Sequence, residues 1–215
     1  MYFSSKQADQ LNQITRDLER RTGVQIIAAV VDKSDAYPEI PWKAFALGSA
    51  ASALLIWLWQ VLQPARFMPL TQLVPILGAG LTAALLTVLW PAFARFFLDG
   101  ARSAGEVDQY ARALFLEREI FNSPSRTGIL LLVSLFERRV IILPDNGITG
   151  RVDPSALQPV IDRMTALLRR GEHFAAFAEG LALLEATLAA AGFTADNGES
   201  NHLSDTLIQR KEDRP

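Results

Sequence analysis

Chemistry in this chain has to be built from carboxylates and guanidinium groups, because other reactive side chains are absent or badly placed. There is no cysteine, which removes disulfides, thiolate nucleophiles and cysteine-held zinc but fits either side of a membrane. Of the two histidines, His202 lies in a polar C-terminal stretch, and His173 follows Gly171-Glu172 at a helix start, a surface position rather than a catalytic one. Ser134 has no G-x-S-x-G elbow around it, and neither a G-x-x-x-x-G-K-[ST] nor a G-x-G-x-x-G string occurs. Two carboxylates stand out instead. Asp32 directly follows an apolar run at 24–31, and Asp145 follows another at 139–143, beyond Pro144. Ligand crevices of open α/β sheets gather beyond the carboxyl ends of strands. If those strands are parallel neighbours, Asp32 and Asp145 form a hard-oxygen site suited to Ca²⁺ or Mg²⁺. The alternative is that Asp32 caps a turn and Asp145 opens one. Glu137, Arg138 and Arg139 read as the solvated tip of a hairpin.

The elements that must position these groups are legible as periodicity. Ser4 and Gln7 form a capping box, and Ala8, Leu11, Ile14 and Leu18 give one face of a helix ended by Thr22-Gly23. The run VQIIAAVV (24–31) reads as a strand buried on both faces. Ser103 and Glu106 form a second capping box, heading a helix with Val107, Tyr110, Ala111, Leu114 and Phe115 inward. TGILLLVSL (127–135) is another buried strand, and 139–143 returns as a third, followed by an Asp145-Asn146-Gly147 turn that suits positive φ. Asp153 then caps a helix with Pro154 at its first position, Gly171 ends it, and a last helix runs to Gly192. The polar residues after it, 193–215, predict a flexible tail. The order predicts a small α/β/α sandwich around a sheet of three to four strands, built from residues 1–35 and 100–192.

Between those halves lies a segment of different character. Half of the 215 residues are hydrophobic, and the net charge is −2 with no basic run, which excludes nucleic acid as a partner. Residues 44–98 contain two charges, Arg66 and Arg95. Runs of 19 residues (44–62) and 22 residues (73–94) carry none. At ~1.5 Å per residue they reach about 28 and 33 Å, enough for about 30 Å of hydrocarbon. Trp42, Trp57, Trp59 and Trp90 lie in or beside the runs, mostly toward their ends, and Gly78, Gly80, Ala83 and Ala84 would let two helices approach closely. The reading is a two-helix transmembrane hairpin in the lipid bilayer, without a cleavable signal peptide. Lys33, Lys43, Arg95 and Arg102 flank its outer ends against Arg66 alone in its loop. Positive charge favours the inside, so the protein is expected in the cell inner membrane, multi-pass, with the α/β domain cytoplasmic.

The block SRTGILLLVSLFERRVIILPDNGI (125–148) resembles the core motif of the TPM domain of thylakoid-lumen and bacterial membrane-associated proteins. RTGVQIIAAVV (21–31) and YARALFLEREIF (110–121) fit the same pattern. The resemblance implies an α/β/α sandwich and singles out Thr127, Gly128, Glu137, Arg138, Asp145 and Gly147. Members are described as acid phosphatases, as calcium binders, and as accessory factors in assembly or repair of membrane complexes. Two functions follow as expectations. One is a membrane-anchored interaction module, possible cation binder included, acting on another membrane protein. The other is a divalent-cation-dependent phosphatase-like hydrolase, with Arg138 engaging phosphate.

Overall fold

The computed structural model describes residues 3–63, 69–123, 125–194 and 207–210. They fall into two compact units, one from Met1–Ser34 and Arg102–Pro215, the other from Asp35–Ala101.

The larger unit opens with helix α1 (Ser5–Thr22), whose capping box is complete. The Gln7 amide donates to Ser4 Oγ at 3.3 Å and the Ser4 amide donates to Gln7 Oε1 at 3.0 Å. Gly23 closes the helix at φ 69°, a left-handed conformation that glycine reaches without a Cβ penalty. Strands β1 (Gln25–Val31) and β2 (Gly128–Ser134) are buried at every position, and β3 (Arg139–Pro144) alternates. Both-face burial is what the continuous apolar runs demanded.

Among the described residues the sheet has four strands in the order β3-β2-β1-β4, the last being Ile208–Arg210. β1 pairs parallel with β2, Gln25 opposite Gly128 and Val31 opposite Ser134. β3 returns antiparallel to β2, with Ser134 opposite Arg139 and Ile129 opposite Pro144. Even-numbered positions of β1 (Ile26, Ala28, Val30) face a core shared with α1, α7 (Pro154–Arg169) and α8 (His173–Ala190). Ile27, Ala29 and Val31 face a second core under α5 (Gly100–Glu117), with Val107, Ala111 and Leu114. The result is the expected α/β/α sandwich.

Four local expectations need correction. Residues 193–215 were expected to form a flexible tail, yet Ile208–Arg210 add β4, parallel to β1, with Ala29 opposite Ile208. Leu207 is buried in the α1 side of the core and its amide donates to Asn12 Oδ1 at 2.8 Å. The strand is only three residues long, too short for alternation to reveal it. Ser103 does not head α5. The helix starts a turn earlier, where Asp99 Oδ1 accepts from the Ala101 amide at 2.8 Å, and Ser103 is buried within it. The Asp145-Asn146-Gly147 step is a one-turn helix, α6 (Asn146–Thr149), capped by Asp145, and neither Asn146 nor Gly147 takes positive φ. The second apolar run ends as a helix before residue 94, at Leu89. Pro91 drives Trp90 to an extended conformation and restarts the chain as α4 (Pro91–Ala94).

The smaller unit holds α2 (Glu39–Leu62) and α3 (Pro69–Leu89). They pack antiparallel: Ser52 Oγ donates to the Pro75 carbonyl at 3.3 Å, while Gly48 lies against Ala79 and Ala83. A Cβ at Gly48 would sit 2.9 Å from the Ala79 carbonyl oxygen and from Ala83 Cβ, and one at Gly80 would meet the Phe45 ring at 2.8 Å. Gly80 and Ala83 thus make the close approach expected of them, Gly48 joins them, and Gly78 faces open space.

Among the described residues, three helices are long and apolar enough to cross a membrane: α2, α3 over Thr71–Leu89, and α8. They differ in what covers them. Ala176, Phe177, Gly180, Leu181, Leu184 and Leu188 bury one side of α8 in the sandwich core. By contrast none of the apolar window of α2, and 11% of that of α3, is buried.

Candidate functional site

The sheet topology decides the fate of the Asp32–Asp145 pair. Asp32 leaves the carboxyl end of β1, beside the carboxyl end of β2. Asp145 leaves β3, which runs the other way and whose last residue pairs with Ile129 near the start of β2. The two carboxylates lie at opposite ends of the sheet, roughly 20 Å apart along seven residues of β1 at ~3.3 Å each. The expected shared Ca²⁺ or Mg²⁺ site is therefore corrected: β3 is neither parallel to β1 nor adjacent to it. Among the described residues, no three or more His, Asp or Glu side chains converge as a metal site.

Each end of the sheet has its own polar arrangement. At the amino end of β1 and β2, Asp145 is buried and receives both Arg126 Nε (2.7 Å) and Nη2 (2.9 Å), a bidentate fork, along with the Asn146 amide at 2.7 Å. The hydrogen bond to Asp145 raises the Arg126 pKa above its ordinary value. The Asp145 amide donates to the Gly128 carbonyl at 2.8 Å, and the Gly147 amide donates to the Arg126 carbonyl at 2.9 Å. Gly128 and Gly147 are required by space rather than by φ. A Cβ at Gly128 would stand 2.5 Å from Ile120 Cγ2 and from the Ile120 carbonyl oxygen. One at Gly147 would stand 2.7 Å from the Arg126 carbonyl oxygen and closer still to that of Ser125. Three of the motif residues, Gly128, Asp145 and Gly147, thus build one lock joining β2 to the end of β3. Arg126, its cationic partner, lies at the start of the same block but escaped the reading, because nothing in sequence distinguishes an ion-pair arginine from a surface one.

At the carboxyl end, the β2–β3 tip laps over the exit of β1. The Leu135 amide donates to the Val31 carbonyl at 3.0 Å and the Phe136 amide to the Asp32 carbonyl at 2.8 Å. Glu137 was expected to be solvated at this tip. It is instead 9% exposed. Its Oε1 accepts from both the Ser34 amide (3.0 Å) and Ser34 Oγ (2.7 Å), and its Oε2 accepts from the buried Ser134 hydroxyl. Lys33 Nζ sits 5.3 Å from the centre of the Phe136 ring. Arg138 is the exposed member of the tip, held at φ 52°. A carboxylate engaged at both oxygens by fixed donors is a clamp: it ties the chain leaving β1 to the β2–β3 turn. Ser34 and Ser134 were missed as its partners. The S-x-x-E spacing of Ser134 and Glu137 was the available signal.

Comparison with known proteins agrees with this geometry. A family model described as TPM domain (TPM_phosphatase) matches residues 98–187. No curated protein matches the chain. Among solved structures, the fold is similar to that of the BA42 protein of the psychrophilic bacterium Bizionia argentinensis, with a TM-score of 0.60 and 12% identity over 98% of this chain and 97% of that one. The matched stretch begins at the hairpin's end and takes in α5, β2, β3, α6, α7 and most of α8, while β1 and β4 complete its sheet from outside that stretch. The motif block lies inside the family match: over residues 98–187 this chain matches the TPM domain model.

Proposed function

We propose that this protein is a membrane-anchored TPM module that binds another membrane protein and serves it as an accessory factor, with the α2–α3 hairpin crossing the cell inner membrane. The observation that carries the reading is the hairpin's uncovered apolar surface. Leu55, Trp57, Trp59, Leu62, Val74 and Leu81 are each more than half exposed, and neither helix turns a charged face outward. Patches beyond a few hundred Å² are not left to water by soluble monomers. At ~1.5 Å per residue, 24 and 21 residues reach about 36 and 32 Å, which suits about 30 Å of hydrocarbon. Trp42 and Trp90 mark one end of the antiparallel pair and Trp57 and Trp59 the other, where indole rings favour the interface.

The hydrolase reading stood on Asp32 and Asp145 acting together, and it loses that support. Both oxygens of Asp145 and both of Glu137 are occupied by donors from this chain. An interaction role asks only for a rigid, anchored domain.

The positive flanks support a cytoplasmic TPM domain, and gene fusions test this. Alkaline phosphatase, active only outside the inner membrane, should be inactive when fused after residue 215 and active when fused at Arg66, which lies outside the described residues. Activity at both positions, or at neither, would contradict a spanning hairpin.

A further inference from the structure

We propose that residues 90–97 are a lipid anchor lying along the membrane surface, with the Phe96 ring seated in the boundary between phospholipid headgroups and acyl chains. This rests on the spanning-hairpin reading and adds where the second arm stops and what meets the chain beyond it. Phe96 is 85% exposed, more than any other large hydrophobic residue described. Its ring is held in place. Phe93 packs edge-on against it, with ring centres 6.4 Å apart, and against Phe97 at 5.4 Å. Ala94, between them in sequence, is buried, so the segment turns one face inward and presents Trp90 and Phe96 on the other.

Pro91 sets where the segment leaves the helix. Trp90 is extended, at φ −128° and ψ 94°, and the chain restarts as α4 followed by a single 3-10 turn, Arg95–Phe97. It then meets the first arm, because Lys43 Nζ donates to the Phe97 carbonyl at 3.4 Å. That bond sets Phe97 level with the start of the uncharged run at Ala44, at the end of the hydrocarbon span rather than within it. Charge marks the same level. Asp35, Glu39, Lys43, Arg95 and Asp99 are the charged residues described in this unit, and all fall at the two chain ends that Lys43 and Phe97 bring together. Segments with Trp or Phe on one face and basic residues at the rim settle about 5–10 Å into the headgroup boundary, and aromatic rings favour that layer. The occupant is lipid because the apolar surface is continuous. Leu85, Val88 and Leu89 are exposed up to the break, and Trp90 and Phe96 extend the strip beyond it. A protein covering Phe96 would have to share that strip with the bilayer.

The test reads depth in phosphatidylcholine vesicles. Trp42, Trp57, Trp59 and Trp90 are replaced by Phe in the full chain, and a single indole is introduced by Phe96→Trp or, as a mid-span reference in α3, by Leu81→Trp. All four native indoles are exposed and Phe keeps their apolar character, so both chains should melt as the parent does. Bromine is carried on the acyl chains either just below the headgroups or near the chain ends. For Phe96→Trp, shallow bromine should quench fluorescence at least about twofold more than deep bromine, with emission to the blue of indole in water. Leu81→Trp should show the reverse order. Deep bromine quenching position 96 as strongly as position 81 would overturn the proposal, since α3 would then run on through Pro91. No quenching at position 96 by either lipid, with position 81 still quenched, would overturn it while leaving the hairpin standing; blue emission would then mark a protein cover and red emission water. Loss of quenching at both positions would overturn the spanning hairpin, and this proposal with it.

Discussion

Leu131→Asp is expected to abolish the folded α/β unit. Leu131 is fully buried at the centre of β2, between Ala28 of β1 and Ile142 of β3, in the core covered by α1, α7 and α8. That core is built from apolar side chains such as Val30, Met164 and Leu181. An unpaired buried charge costs several kcal/mol, against a total stability for such a domain of about 5–15 kcal/mol. Leu131→Ala at the same place loses packing only, about 2–5 kcal/mol, and should still show a cooperative transition. Thermal unfolding in detergent, followed by circular dichroism, separates the outcomes. The aspartate variant should show no cooperative transition and no protected amides in β1 and β2. A native melting temperature for Leu131→Asp would mean that this strand is not in the core.

The second large effect belongs to the lock between β2 and β3. Gly147→Ala should destabilise by about 2–4 kcal/mol, because the added methyl meets backbone carbonyl oxygens of Ser125 and Arg126, which cannot swing aside as a side chain could. Gly150→Ala, three residues on, is the internal control. Its Cβ would lie 3.7 Å from the Asn146 carbonyl oxygen, an ordinary contact, and its φ of −74° suits alanine. That change should be neutral or stabilising by up to about 1 kcal/mol through the unfolded chain. Urea titration of both variants checks the contrast. Equal effects would show that the motif glycine serves chain flexibility rather than close approach.

How far the sequence carried depended on whether a feature was local and repeated. Continuous apolar runs at 24–31 and 127–135 announced strands buried on both faces, and the Ser4, Asp153 and Gly171 signals placed helix ends where the structure has them. The β2–β3 hairpin was legible at its tip, but the direction of β1 beside it was not. β1 runs parallel to β2 and β3 runs back, so Asp32 and Asp145 leave at opposite ends of the sheet, and the proposed metal pair depended on that direction. Glu137 was misplaced for a related reason. At a hairpin tip a glutamate between Phe136 and Arg138 looks solvated, and its burial depends on Ser34, more than a hundred residues earlier. β4 was invisible because three residues give no period, and its acceptance rests on the β1 edge rather than on its own pattern. The resemblance to TPM domains singled out Gly128, Asp145 and Gly147, while the steric and ionic contacts that join them emerged only from the structure.

The central claim, that α2 and α3 cross a bilayer, is tested most directly by alkaline carbonate extraction of membranes from cells making the full chain. Carbonate strips proteins held by charge or by contact with other proteins, whereas a hairpin with about 30 Å of apolar length on each arm stays with the lipid. The account predicts that the protein remains in the pellet after extraction and leaves it only with detergent. Recovery in the carbonate supernatant, or in the soluble fraction before extraction, would contradict a spanning hairpin, and the uncovered faces of α2 and α3 would then have to be covered by protein.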